Sequence, residues 1–317
     1  MKFKNRIINF YSFKAKKIIF LSLLSFLLIV NDDNKKCEIS NNDFSKKNEF
    51  ITIKMSLVVP IVYKDFQKMK CNFYYYKKYI KGINNLIFIG DKKVEKLIRH
   101  KYRNFEIPLN FINENELIDI KRVKNLIKKR NEFANLRSGW YIQQFLKIEY
   151  CKICLDNYYL IWDSDTIPIK DVRMFNIYGK PFFDVKTEYH EPYFITMKKV
   201  FPELEKKWNY SFISEHMLIK TEIMKNIIYR IEINNHISGD TWYEKIINCI
   251  DINDLNFSGF SEFETYGTFV NKYYNNTYDI RPWKSLREGS QYYNPNYLSD
   301  KDIQNISKNY DAISFEY

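Results

Sequence analysis

Short blocks of consecutive apolar residues recur along this chain, separated by stretches with helical spacing. Leu57–Val62, Asn85–Ile89 and Tyr158–Trp162 are such blocks. Continuous apolar runs of that length predict strands buried on both faces, as in a parallel sheet. Between them the spacing predicts helices over Asp65–Ile80, Lys93–His100 and Gly139–Tyr150. The last carries Trp140, Ile142, Phe145, Leu146 and Ile148 on a broad apolar face, with Ser138 placed to cap it. Strands alternating with helices across short polar turns such as Gly90-Asp91 indicate an α/β fold, a mostly parallel sheet flanked by helices.

After residue 165 the pattern loosens into a more irregular C-terminal half. Gly179-Lys180-Pro181 predicts a turn before Phe182–Val185, and His190–Tyr193 reads as a loop. Ser211–Ile219 is an apolar run that holds Glu215 and His216. Ser258–Gly267 combines a turn, an N-cap at Ser261 and two acids, Glu262 and Glu264, in a first helical turn. Three regions follow: a basic leader over 1–54, an α/β domain over 55–290, and a polar, peripheral tail over 291–317.

The leader changes how the charge is read. The chain has a formal net charge of +12, and residues 1–54 hold 11 Lys/Arg against five Asp/Glu. The remainder is only mildly basic and has no nucleic-acid recognition motif, so specific nucleic-acid binding is not expected. A phosphate-bearing ligand or an anionic membrane surface suits that balance. Ile18–Val30 is a mostly apolar run behind six basic residues. It is short for a membrane span and is followed by no small-x-small cleavage site. It reads as a signal anchor, a membrane-surface helix, or sequence upstream of a start at Met55. The domain is expected on the cytoplasmic face of a membrane, or in the cytoplasm if the leader is not an anchor. The five cysteines lack the spacing of a disulfide framework, and Cys151-Lys152-Ile153-Cys154 lies inside a helical pattern, so its thiols are expected in the core.

The candidate chemistry sits at the end of the Tyr158–Trp162 block, where Asp163-Ser164-Asp165 follows directly. Ligands of open α/β sheets bind at the carboxyl ends of strands. Two hard oxygen ligands there suit a divalent cation, Mn²⁺ or Mg²⁺, that also holds a phosphate-bearing substrate. Asp300-Lys301-Asp302 has the same spacing but no strand before it, and is set aside.

Four segments in order, Arg137–Lys147, Trp162–Asp165, Ser214–Met217 and Ser261–Gly267, give the chain a resemblance to bacterial glycosyltransferases of the GT-A type. It is most similar to an uncharacterised bacterial family within the nucleotide-diphospho-sugar transferase superfamily. The resemblance spans roughly residues 55–285 and leaves the leader out. It implies a Rossmann-like fold, a nucleotide-sugar donor with a UDP-sugar as first choice, a divalent metal, and a glycan or lipid-linked acceptor bound by the C-terminal half. On that footing Asp163 and Asp165 would hold the metal, Asp165 more directly. Pro60 to Asp65 would lie under the nucleotide with Gly90 and Asp91 beside it. Arg137 and Lys147 would contact the diphosphate, with Gln143 as a further donor-binding group.

An inverting transfer needs a base for the acceptor hydroxyl. Glu262 is the first candidate, at an accessible helix start, and Glu215 and His216 are the second. His190 and Tyr193 would belong to the acceptor site. For Trp242 and Trp283, core packing competes with stacking on a sugar. Two rivals remain: another metal-dependent nucleotide or phosphoryl enzyme, such as a nucleotidyltransferase or a phosphatase, and a non-catalytic binding module. A nucleotidyltransferase of the sugar type would show a glycine-rich loop after the first strand, and Val58–Lys64 contains no glycine. A non-catalytic carbohydrate-binding module would tolerate replacement of both aspartates.

Overall fold

The computed structural model describes residues 53–68, 72–103 and 106–316. The expectations for the leader, including its apolar run, lie outside the described residues. Among the described residues no helix is long and apolar enough to cross a membrane.

The central sheet has five strands in the order β3-β2-β1-β4-β7. These are β1 (Met55–Pro60), β2 (Ile83–Gly90), β3 (Leu109–Asn113), β4 (Tyr158–Trp162) and β7 (His216–Lys220). The first four pair in parallel, and β7 runs antiparallel to β4 with Trp162 opposite His216. The sheet is thus mixed α/β and mostly parallel, as the apolar blocks predict.

Apart from the edge strand β3, its strands are largely buried on both faces because each pleat side meets a different set of helices. One face, with Val58, Ile87, Tyr159, Ile161 and Ile219, packs on the helices over 120–130 and 138–149 and on helices from the C-terminal half. The other, with Leu57, Val59, Phe88, Leu160 and Trp162, packs on helices from the N-terminal half. In chain order the early helices are α1 (Tyr63–Lys68), α2 (Asn72–Tyr79), α3 (Lys92–Lys101), α4 (Glu114–Leu117) and α5 (Ile120–Arg130). They are followed by α6 (Ser138–Glu149), α7 (Glu191–Val200), α8 (Thr221–Glu232), α9 (Trp242–Cys249), α10 (Glu262–Tyr273) and α11 (Asp300–Ile306).

Several expectations are corrected. The helix expected over Asp65–Ile80 is two, α1 and α2. Ser138 is not a cap: a 3₁₀ turn, Glu132–Arg137, runs straight into α6, so Ser138 is the first helical residue and no side chain caps the end. The run Ser211–Ile219 is extended only from His216. The tail past residue 291 is not peripheral. Its strand β10 (Ala312–Ser314) is the middle of a three-stranded sheet, antiparallel to β5 (Thr166–Pro168) and parallel to β9 (Ser285–Leu286). Ala312, Ile313 and Phe315 are fully buried there. These apolar side chains within a polar segment give no periodic signal, yet burying Ile313 and Phe315 is worth about 1.5–3 kcal/mol each. A further pair, β6 (Phe182–Val185) and β8 (Asp279–Pro282), is parallel. Cys151, Cys154 and Cys249 are free and buried, as the helical pattern around the first two implies.

Candidate active site

Strand order fixes where the site lies. From β1 the chain moves outward to β2 and β3, then returns to place β4 on the other side of β1. The crevice between the carboxyl ends of β1 and β4 is therefore the topological switch point. Pro60, buried, ends β1, and the Asp163-Ser164-Asp165 turn begins one residue after β4. The two sides are tied across the crevice by Ser164 Oγ, which donates to Asp65 Oδ2 at 3.0 Å.

The acid turn is held from both ends. Asp163 N donates to the Glu215 carbonyl at 2.8 Å, and Phe315 N donates to the Asp165 carbonyl at 2.9 Å. The tail strand thus forms part of the site's frame. Asp165 is half-buried and accepts from Thr166 Oγ1 at 3.3 Å. Burial, with repulsion from Asp163, Glu316, Asp65 and Glu215, pushes its carboxyl up to about 8. Burial likewise raises Asp65 and Glu316, and Asp163 adds to both shifts. Negative charge therefore accumulates around one turn beyond what its own cations neutralise, and a bound cation would relieve it.

Lys147 is expected as a diphosphate contact. It is instead only 2% exposed and is the buried cation of the site. Its ammonium lies 2.7 Å from Asp163 Oδ1 and 2.8 Å from Glu262 Oε1. Burial pushes the lysine down, but the two carboxylates override it and hold the group above the ordinary lysine range. The Gln144 side-chain amide lies against the same Glu262 carboxylate. Ser261 caps α10, as its sequence predicts, accepting from Glu264 N at 3.2 Å, so Glu262 is the first helical residue. Its carboxylate is only 3% exposed and is raised by burial, with Lys147 opposing. It faces Lys147 inside the fold, whereas the sequence suggested an acid open to an acceptor.

Glu215 and His216 are also closed in. Glu215 is 2% exposed and is surrounded by Lys186 Nζ at 2.5 Å, Ser285 Oγ at 2.7 Å and Trp283 Nε1 at 3.0 Å. Burial would raise this carboxyl, but Lys186 outweighs it and the net shift is downward. His216 Nε2 lies 2.8 Å from Asp184 Oδ2, and the ring is packed between Trp162 and Trp283. Asp184 is held low against its burial by Arg281 and His216 together. These groups brace β7 against β4, β6 and β8; no surface is left on either side chain for an acceptor.

The remaining candidates divide between frame and rim. Asp91 caps α3, accepting from Lys93 N and Val94 N. Gly90 is required by a close approach, since a Cβ there would lie 2.5 Å from the Ile61 carbonyl. Gln143 is half-buried on α6. Arg137 binds the 257–258 loop: Nε donates to the Phe257 carbonyl at 2.6 Å and Nη2 to Ser258 Oγ at 2.9 Å. Beside it Trp140 stacks on Tyr193, and His190 Nε2 lies 2.7 Å from the Ser258 carbonyl. Trp242 and Trp283 are buried, their indole N–H groups on Glu149 and Glu215.

Sequence reasoning missed Arg287 and Glu316. Arg287 Nε lies 3.0 Å from Glu316 Oε1, and Nη1 lies 2.5 Å from Glu188 Oε2. Among the described residues no three His, Cys, Asp or Glu side chains are grouped to hold a metal by themselves. The aspartate pair is thus the most this part of the chain offers a cation. That suits Mg²⁺-type sites, where one or two carboxylates share the ion with substrate phosphates and water.

Comparison with solved structures finds mouse xyloside xylosyltransferase 1 in its apo form, at 11% identity and a TM-score of 0.43, covering 82% of this chain and 97% of that one. It also finds the glycosyltransferase GlyE of Streptococcus pneumoniae TIGR4, at 10% identity and 0.36, covering 83% and 55%. A third is the mannosyltransferase Ktr4p of S. cerevisiae in complex with GDP, at 10% and 0.37, covering 68% and 72%. No curated protein sequence matches the chain. A family model does match, over residues 52–281, which takes in the acid turn, Lys147 and Glu262 and stops short of β9 and β10. The chain belongs to that family, the family of unknown function DUF6492.

Proposed function

We propose that the chain is a glycosyltransferase that moves a sugar from a nucleotide-diphosphate donor to a glycan or lipid-linked acceptor with help from a divalent cation. The observation that carries this reading is the Asp163–Asp165 turn at the switch point, an electron-rich pair with too few neighbouring ligands to close around an ion. A cation shared between that pair and a diphosphate would supply positive charge where the leaving group becomes negative.

The chain's own residues have defined parts in this scheme. Asp165, the less neutralised carboxylate, takes the principal ligand role, and Asp163 is aimed by Lys147. Glu262 acts as a positioning residue: it holds Lys147 at Asp163 and leaves the proton of the acceptor to other groups. In the transfer, the bond from the anomeric carbon to the diphosphate oxygen breaks. A bond from the acceptor hydroxyl oxygen forms, and that hydroxyl's proton departs to solvent or the leaving diphosphate. The rim of Arg137, Trp140, His190 and Tyr193, in which Trp140 stacks on Tyr193, supplies aromatic and hydrogen-bonding groups suited to a sugar on the acceptor side.

The test is release of nucleoside diphosphate from a panel of nucleotide sugars, with and without Mn²⁺, using the chain and its Asp163→Asn/Asp165→Asn variant. Metal-dependent release from one donor, lost in a folded variant, is the expected result. A folded chain that neither binds nor hydrolyses any donor would overturn the reading.

A further inference from the structure

The edge of the fold beyond α5 carries an unusual combination of exposed apolar side chains and unpaired cations. Leu136 is 97% exposed and Phe133 81%, both on the 3₁₀ turn after α5. Across from them, on the loop after α9, Phe257 is 69% exposed and Ile252 53%. Side-chain donors bound to backbone carbonyls lace the two segments together. Arg130 Nη2 donates to the Ile250 carbonyl at 2.8 Å, Asn131 Nδ2 to the Ile252 carbonyl at 3.0 Å, and Arg137 Nε to the Phe257 carbonyl at 2.6 Å. The four apolar side chains therefore stand on a braced edge.

The charge on this edge is one-sided. Segments 120–137 and 250–258 carry seven Lys/Arg against Glu132, Asp251 and Asp254; Asp251 is paired to Lys199, and Arg122 is paired to Asp240 and Glu244 outside these segments. Lys121, Lys128 and Lys129 are exposed and form no ion pair among the described residues. Lys124, also exposed, has the partly buried Glu114 as a neighbouring charge.

We propose that this edge docks on an anionic lipid bilayer, with Phe133, Leu136 and Phe257 entering the interface and the α5 lysines meeting the headgroups. Charge complementarity selects that occupant. An apolar tip rimmed by cations fits a surface that is hydrocarbon inside and anionic outside. A second copy of this chain would bring the same lysines against their own counterparts. The docked edge adjoins the rim of the candidate active site, because Arg137 and Ser258 belong to both. The inference does not depend on what reaction that site performs.

The test uses the full chain with Cys37 and Cys71 changed to Ser and Leu136→Cys carrying an environment-sensitive fluorophore. The buried cysteines stay unlabelled because burial raises their thiols. Vesicles of phosphatidylcholine with phosphatidylglycerol should shift the emission to the blue, and phosphatidylcholine alone should not. Each lysine changed to Gln at 121, 128 and 129 should raise the lipid needed for half the shift by roughly fivefold at low salt. The proposal falls if the chain binds vesicles with the probe still in water, since the leader would then be the tether. It also falls if the shift ignores lipid charge, or if it grows with protein concentration without lipid, which would identify a second copy. No activity is read, so failure here and failure of the transferase reading are separate results.

Discussion

Lys147→Met removes the single cation that joins the acid turn to α10. Asp163 and Glu262 would be left facing each other inside the fold, 2.7 and 2.8 Å from where the ammonium stood. Deleting one partner of a buried ion pair costs about 3–5 kcal/mol, chiefly through the charge left unpaired. At about 2–4 °C per kcal/mol for chains approaching this size, the expected fall in Tm is roughly 10 °C. The deficit carries a pH signature. Glu262 is already raised by burial with Lys147 opposing, so losing Lys147 raises it further. A carboxyl whose folded pKa lies above its unfolded value, about 4.3, adds stability in its protonated form. That stability is complete below the unfolded value and is lost as pH rises through the folded one. Thermal unfolding should therefore show a large deficit near neutral pH that shrinks on acidification. Adding Glu262→Gln should recover part of it, with a coupling on the order of 1–3 kcal/mol in the double-mutant cycle. A deficit below about 1 kcal/mol, or one that is the same at every pH, would refute the clamp.

Two other perturbations probe the frame. In metal-free protein, Asp165, pushed up to about 8, opposes folding as it ionises, so stability should fall as pH rises from its unfolded value near 3.9 through about 8. Asp165→Asn should flatten that slope in urea titrations, and an unchanged slope would show that the carboxyl is not strained. Phe315→Ala removes a fully buried ring next to the acid turn; it should cost about 3–5 kcal/mol and lower donor turnover, and a neutral effect on both would return the tail to the periphery.

Much of the frame is legible in the chain because its strands are buried on both faces and therefore uniformly apolar. Tyr158–Trp162 is such a run, and the place of the acid pair directly after it can be read from the sequence alone, although the turn's final shape depends on Glu215 and Phe315. The start of α10 is equally local, since Ser261 caps its own helix. Lys147 is different. A lysine in a helix is ordinarily solvated, and only the contact with Asp163 and Glu262, contributed by other elements, makes its burial tolerable. A hint exists in its neighbours, Leu146 and Ile148, within a helix buried nearly all round. Glu215 and His216 mislead for the matching reason: polar groups in an apolar run signal partners, and the partners Lys186, Asp184 and Arg281 serve packing. β10 is too short to show a period, and its identity as a strand depends on pairing with β5 and β9.

The hydrogen bond from Phe315 N to the Asp165 carbonyl bears on how the protein folds. Local elements such as α6 and the capped start of α10 can form early, whereas β10 must close a very long loop before it reaches β5. Loop closure of that kind is slow, and its entropy is repaid only when the pairing completes. The acid turn should thus gain its final shape in the last phase of folding, after the central sheet is built. A folding intermediate would have the crevice between β1 and β4 but not the geometry of Asp165, and so would be compact and inactive. The site is then its own report of completed folding: refolding followed by activity should lag behind refolding followed by helix content.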